Sequence, residues 1–156
     1  MTTDPQVEQD GRNVALRRAW PDPIHDVWSA LTESERLGRW YGTYTGTGRP
    51  GGTVEVTVTG EVDAGGEVAE PAPVRIHECA PPHRLAVEIP EAGSDSWFVT
   101  VDLRSVGSGT ELVFTQRLVP GFSAADVEAG WSWYLDRLGA SLRGGEMPDW
   151  SDYAPR

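Results

Sequence analysis

Few residues in this chain can carry chemistry. Histidines stand at positions 25, 77 and 83, and Cys79 is the only cysteine. His77 and Cys79 are two residues apart, a spacing that puts both side chains on one face of a strand. A zinc site needs three or four ligands, and no further one stands at a ligand spacing, so no metal is expected. His25 falls on a helical stretch whose apolar side is Ile24, Val27, Trp28 and Leu31, and reads as exposed. His83 follows Pro81 and Pro82 in a turn and reads the same way. His77 aimed into an interior would be an acid–base group near neutral pH; its plainer reading is a half-buried, hydrogen-bonded ring. Glu78 and Glu88 fall on neighbouring expected strands, and paired carboxylates do acid–base work when their environments differ. They lie out of phase with the apolar residues or at strand ends, which reads as solvated. Ser123, Ser132 and Ser141 lack the Gly-x-Ser-x-Gly turn that exposes a nucleophile. No catalytic residue is assigned, and no cofactor is expected.

The aromatic residues are the stronger lead. Seven tryptophans is a high count for 156 residues. If the expected strands curl round the long C-terminal helix, Trp40, Tyr41, Trp97, Phe114, Trp131 and Tyr134 all face the space between sheet and helix. Rings with a few polar tips make a small-molecule pocket, and the same rings can fill a solid core. Trp131 and Trp133 are two apart on a helix and cannot share a face. One must point inward and the other lie on the rim or surface, where it would mark a contact patch.

The elements that must position these rings follow from periodicity. The longest helical pattern runs over 123–143, with Val127, Trp131, Tyr134, Leu135, Leu138 and Leu142 at three- and four-residue steps. Ser123 caps it, and Gly144, Gly145 and Pro148 end it. Upstream, alternation predicts strands over 14–20, 53–59, 74–79, 83–89, 97–106 and 110–119. Asp22 as N-cap and Pro23 at the first helical position predict a short helix. A capping box at 32–35 predicts a second, over 33–40. Residues 42–52 read as a glycine-rich loop, and 60–73 as either a ragged strand pair or a long loop. The order is strand, two short helices, five or six strands, long helix. Short turns between the later strands make the sheet antiparallel.

The totals fit one domain, burying roughly 68–70% of its unfolded surface. The formal net charge of −11 argues against nucleic acid and against an anionic membrane surface. One cysteine leaves no intrachain disulfide. The first residues have no basic start and no apolar run, and no stretch of about 18 apolar residues is present. A cytoplasmic protein without membrane insertion is expected. Residues 1–12 read as a flexible tail, 13–143 as the domain and 144–156 as a second tail, in which Trp150 and Tyr153 either pack back or stay free.

Three sets of residues carry a family likeness. The first is Arg18, Trp20, Pro21, Pro23, Val27, Trp28, Ala30, Leu31, Thr32, Leu37, Trp40 and Gly42. The second is Glu78 through the Pro81–Pro82 turn to Arg84 and Leu85. The third is Gly109, Thr110, Glu111 and Leu112, leading through a strand to the long helix. In these the chain resembles the START-like, birch-allergen-like (SRPBCC) superfamily, and within it the branch of homologues of the activator of the heat shock protein 90 ATPase. The resemblance implies an α+β helix-grip fold: a curved antiparallel sheet of six to seven strands wrapped round the long C-terminal helix, with two short helices after the first strand and a cavity between sheet and helix. It carries no catalytic motif onto this chain.

On that fold the expected ligand contacts are Trp40, Tyr41, Val56, Ile76, His77, Val87, Trp97, Val99, Phe114, Gln116, Trp131, Tyr134, Leu135 and Leu138. The leading expectation is a binder of a hydrophobic small molecule. The rivals are a cyclase- or aromatase-type enzyme, with His77, Tyr134 or Gln116 guiding proton transfers, and a cochaperone-like interaction module. The expected partner is the small molecule, with a chaperone or a second copy of the chain as the further partners to consider.

Overall fold

The computed structural model describes residues 13–90 and 96–154. The expected tail at 1–12 lies outside them. The strands are β1 (Asn13–Trp20), β2 (Gly42–Thr45), β3 (Thr53–Val58), β4 (Ala72–Ala80), β5 (Arg84–Ile89), β6 (Trp97–Val106) and β7 (Gly109–Arg117). The helices are α1 (Ile24–Thr32), α2 (Ser34–Leu37) and α3 (Ala124–Arg143). Short 3-10 turns stand at Gly60–Ala64 and Trp150–Asp152.

The strands form one curved seven-stranded sheet in the order β1-β7-β6-β5-β4-β3-β2, each pair antiparallel. Only β1 is out of sequence order. Its residues pair along β7, with Leu16 opposite Phe114, because α1 and α2 carry the chain from one edge of the sheet to the other. Alternation puts Leu112, Phe114 and Gln116 of β7 and Val99, Val101 and Leu103 of β6 inward, all buried. Helix α3 covers this face with Val127, Tyr134, Leu135 and Leu138. Ser123 caps α3 by accepting from the Asp126 backbone N–H at 3.3 Å, and Gly144 closes it at φ 66°, a conformation suited to glycine.

Several local expectations are corrected. Residues 42–52 are not all loop: Gly42–Thr45 forms edge strand β2, paired on β3. A Cβ at Gly42 would stand 2.3 Å from the Thr57 carbonyl oxygen, so that pairing needs the glycine. The second helix is a single turn, and the 32–35 capping box does not form. The Thr32 hydroxyl donates back to the Trp28 carbonyl, and Ser34 instead bridges the Tyr44 backbone N–H and C=O, both at 2.9 Å. Pro23, not Asp22, is the N-cap of α1; Asp22 accepts from Arg143 at 3.3 Å. Segment 60–73 is a 3-10 turn and loop, with β4 starting at Ala72.

Candidate functional site

Between the sheet and α3 lies an inner hollow of about 160 Å³. Its floor comes from Val54 and Val56 of β3, Val74 and Ile76 of β4, Val87 of β5, and Val99 of β6. Its sides are Trp40, Tyr41, Phe114, Trp131 and Leu135. The polar groups in this wall are largely engaged elsewhere. Trp40 Nε1 donates to the Ala30 carbonyl at 2.9 Å, Thr32 to Trp28, and the Tyr44 hydroxyl to the Thr32 carbonyl. The surface presented inward is therefore hydrocarbon and ring face. Cys79 also lines it, and burial pushes its thiol up from the ordinary range.

A second, outer hollow of about 510 Å³ adjoins it beneath the first turns of α3. Tyr41, Ile89 and Trp131 belong to both walls. The Tyr41 and Trp131 rings are stacked, with centroids 5.6 Å apart and planes at 23°, so this pair is the partition between the two spaces. Trp97, Phe122, Glu61, Asp126 and Tyr134 line the outer one. Here the Tyr134 hydroxyl donates to the Glu61 carboxylate. Burial, reinforced by that bond, raises the Tyr134 phenol far above its usual range. Tyr134 is thus a fixed donor at neutral pH.

Glu61 is held in place from below. Arg137 is 4% exposed; its Nε donates to the Trp40 carbonyl at 2.9 Å, and a terminal nitrogen pairs with Asp63 at 2.7 Å. The guanidinium also lies 4.8 Å from the Trp133 ring centre. A buried charge needs such partners to avoid a large desolvation cost. Arg137 thereby ties the Gly60–Ala64 turn, and Glu61 with it, to the long helix.

Of the expected contacts, Trp40, Tyr41, Val56, Ile76, Val87, Val99, Phe114, Trp131 and Leu135 border the inner hollow. Trp97 and Tyr134 border the outer one instead. Gln116 is buried behind Trp131, whose Nε1 donates to Gln116 Oε1 at 2.6 Å. Leu138 is fully buried in the core.

His77 is not in the interior. The β4–β5 register shifts between Ile76 and Glu78, so a bulge puts His77 and Glu78 together on the outer face. The phase flips there, and Cys79 returns inward while His77 does not share its face. His77 Nε2 meets Glu88 Oε1 at 2.8 Å on the solvent side, and that bond holds the Glu88 carboxyl below its usual range. An acid–base role for His77 inside the hollow is thereby overturned.

Trp133 is corrected as well: it is 1% exposed, not on a rim. Residues 144–154 fold back over it. Its Nε1 donates to the Pro148 carbonyl at 3.0 Å, Trp150 packs on its ring at 5.3 Å, and the Tyr153 hydroxyl donates to Asp136 at 2.7 Å. Helix α3 is therefore buried on two sides. Glu61, Asp63 and Arg137 were missed by sequence reasoning, since their pairing spans more than 70 residues. An arginine amid an apolar helical pattern was the only available signal. No lysine occurs anywhere in the chain, so no imine-forming side-chain amine is available. Among the described residues no cluster of three metal-ligating side chains occurs, and no helix is long and apolar enough to cross a membrane.

Residues 22–143 match the family described as Activator of Hsp90 ATPase homolog 1-like protein. No curated protein matches the sequence. Among solved structures, the chain is similar to CalU16 from Micromonospora echinospora, with 27% identity, a TM-score of 0.70, and coverage of 84% of this chain and 76% of that one. The protein encoded by BPP1335 from Bordetella parapertussis shares the fold at 24% identity and TM-score 0.75, over 97% and 82% of the two chains. DynU16, from the dynemicin biosynthetic locus, does so at 22% identity and TM-score 0.71; the match covers 87% of this chain but only 49% of DynU16.

Proposed function

Because this chain belongs to the Activator of Hsp90 ATPase homolog 1-like family, whose match runs from the first short helix through β2–β7 and the long helix, we propose that it is a small-molecule binding domain whose ligand sits in the inner hollow. One observation carries this reading: the wall is hydrocarbon and ring face, with its tryptophan, threonine and tyrosine polar groups bonded away from the space. Such a wall gains from apolar burial, at about 25 cal/mol per Å², and offers little to a charged group. Size narrows the class. A cavity of about 150 Å³ takes one benzene, and this hollow is about 160 Å³. The ligand part it admits is ring-sized rather than a long acyl chain.

The test is thermal. Melting temperature is measured with benzene, naphthalene and hexadecanoic acid at increasing concentration. The rings should raise it by mass action, corresponding to about 2.7 kcal/mol at a hundredfold excess over Kd, and the fatty acid should not. Failure of every ring compound to stabilise the protein would sink this reading.

A second reading, an enzyme of cyclase type, is favoured by the Tyr134–Glu61 pair at the edge of the outer hollow. The Glu61 carboxylate, oriented by the Tyr134 hydroxyl, can take a proton from a bound ring compound. Glu61→Gln would then abolish turnover while leaving ring binding intact.

A further inference from the structure

The outer hollow differs from the inner one in its wall. Five rings line it: Tyr41, Trp97, Phe122, Trp131 and Tyr134. Trp97 and Phe122 meet edge to face at 5.1 Å. Tyr41, Trp131 and Tyr134 form a second cluster, with centroids 5.0 to 5.7 Å apart. Two carboxylates, Glu61 and Asp126, stand in the same wall, and among the described residues no arginine or histidine does. Both acids are exposed, so a guest can reach them. Neither has a cationic partner among the described residues. Arg137, one turn beyond Tyr134, is already paired with Asp63 at 2.7 Å. The α3 N-terminus favours anions, but the Ser123 cap and Asp126 in the first turn already serve it.

The helix itself leaves room for a guest. Asp126, Gly130 and Tyr134 follow at four-residue steps on α3 and share the stripe that faces this hollow. Glycine inside a helix is less stable than alanine, so its presence needs a reason. The other glycine of α3, Gly139, has one: a Cβ there would stand 2.6 Å from Trp20 Nε1. A Cβ at Gly130 would meet nothing within 4 Å. No neighbour excludes a side chain at 130, and what the glycine does is keep the hollow open.

An aromatic face attracts cations, and cages of such rings recognise alkylated ammonium groups. A carboxylate adds charge attraction. An inorganic cation would leave the rings unused, whereas an alkylated ammonium engages rings and carboxylates together. We infer that the outer hollow is a second binding site, for an organic ammonium cation such as a quaternary or tertiary amine. Its charged head lies against the rings, with Glu61 and Asp126 as counter-charges. This site needs no guest in the inner hollow.

The test is a matched pair, choline and 3,3-dimethylbutan-1-ol. They share shape and hydroxyl and differ by a charged nitrogen in place of a carbon. Each is titrated into the full chain and followed by NMR. Choline should bind about tenfold tighter than the alcohol and shift the indole N–H signals of Trp97 and Trp131. The double variant Glu61→Gln/Asp126→Asn keeps the shape of the wall and an acceptor for Tyr134, and in it the preference should fall severalfold. In Gly130→Leu, a change that favours the helix, choline should no longer shift those signals. Equal binding of the pair to wild type, or no shift from either, overturns the cation site. So does a choline preference undiminished in either variant, which would be adventitious attraction to a chain of net charge −11. A wild type that takes choline in this way but that no ring compound stabilises keeps the outer site and removes the inner one alone.

Discussion

Gly60 lies against the ring of Tyr134, so close that a Cβ at position 60 would stand 2.5 Å from Cε1. The ring cannot step aside, because its hydroxyl is held by Glu61 and it packs among Tyr41, Trp131 and Trp133. Gly60→Ala should cost about 1–3 kcal/mol through overpacking. Urea denaturation midpoints check this; an unchanged midpoint would show that the turn is free to move off the helix.

Leu135 and Leu138 are both buried in α3, but only Leu135 borders the inner hollow. Each truncation to alanine should cost about 2–5 kcal/mol. Leu135→Ala also enlarges the hollow, so saturating naphthalene should restore more of its melting temperature than it restores in Leu138→Ala. Equal recovery in the two variants would place the ring compound elsewhere.

Cys79 gives a chemical readout of the same space. Thiolate is the reactive form, and burial raises this thiol's pKa. At pH 8 it should alkylate with iodoacetamide more slowly than an exposed cysteine, with the rate still climbing above pH 9. A ring compound in the hollow should slow it further. A rate matching that of a free thiol peptide at every pH would contradict the placement of Cys79.

Alkaline stability should report the fold-back of residues 144–154. Burial and the bond to Asp136 push the Tyr153 hydroxyl up to about 12, whereas an unfolded tyrosine ionises near 10. The folded state thus favours the protonated phenol. Its contribution is complete below pH 10 and is lost as pH rises towards 12. Wild type should lose stability over that window more steeply than Tyr153→Phe, measured by denaturant midpoint against pH. Parallel curves would mean that Tyr153 is solvated.

The parts of the fold written in local pattern were readable beforehand. Val54 and Val56, or Leu112 and Phe114, show their inward phase by alternation alone, and α3 shows its inner face by the recurrence of Trp131, Leu135 and Leu138. Gln116 was readable for the same reason, as a polar residue at an inward phase. What was lost depends on distant partners. β2 has only four residues between glycines, so composition makes it a loop although β3 makes it a strand. Trp133 shows no inward period because its cover comes from residues 144–154 rather than from the sheet. The bulge at His77 has no glycine or proline to mark it, and it misplaced the one histidine of interest.

That bulge also makes His77 a supernumerary residue. Arg75 and Ile76 pair with Glu88 and Val87, and Glu78 and Cys79 resume with Ala86 and Leu85, so β5 has no counterpart for His77. Excising its codon would leave every other pairing of β4 in step and Cys79 still inward. Losing Ile76 instead would draw an imidazole into the greasy interior. Among single-residue deletions in β4, the one at position 77 should be the most readily tolerated.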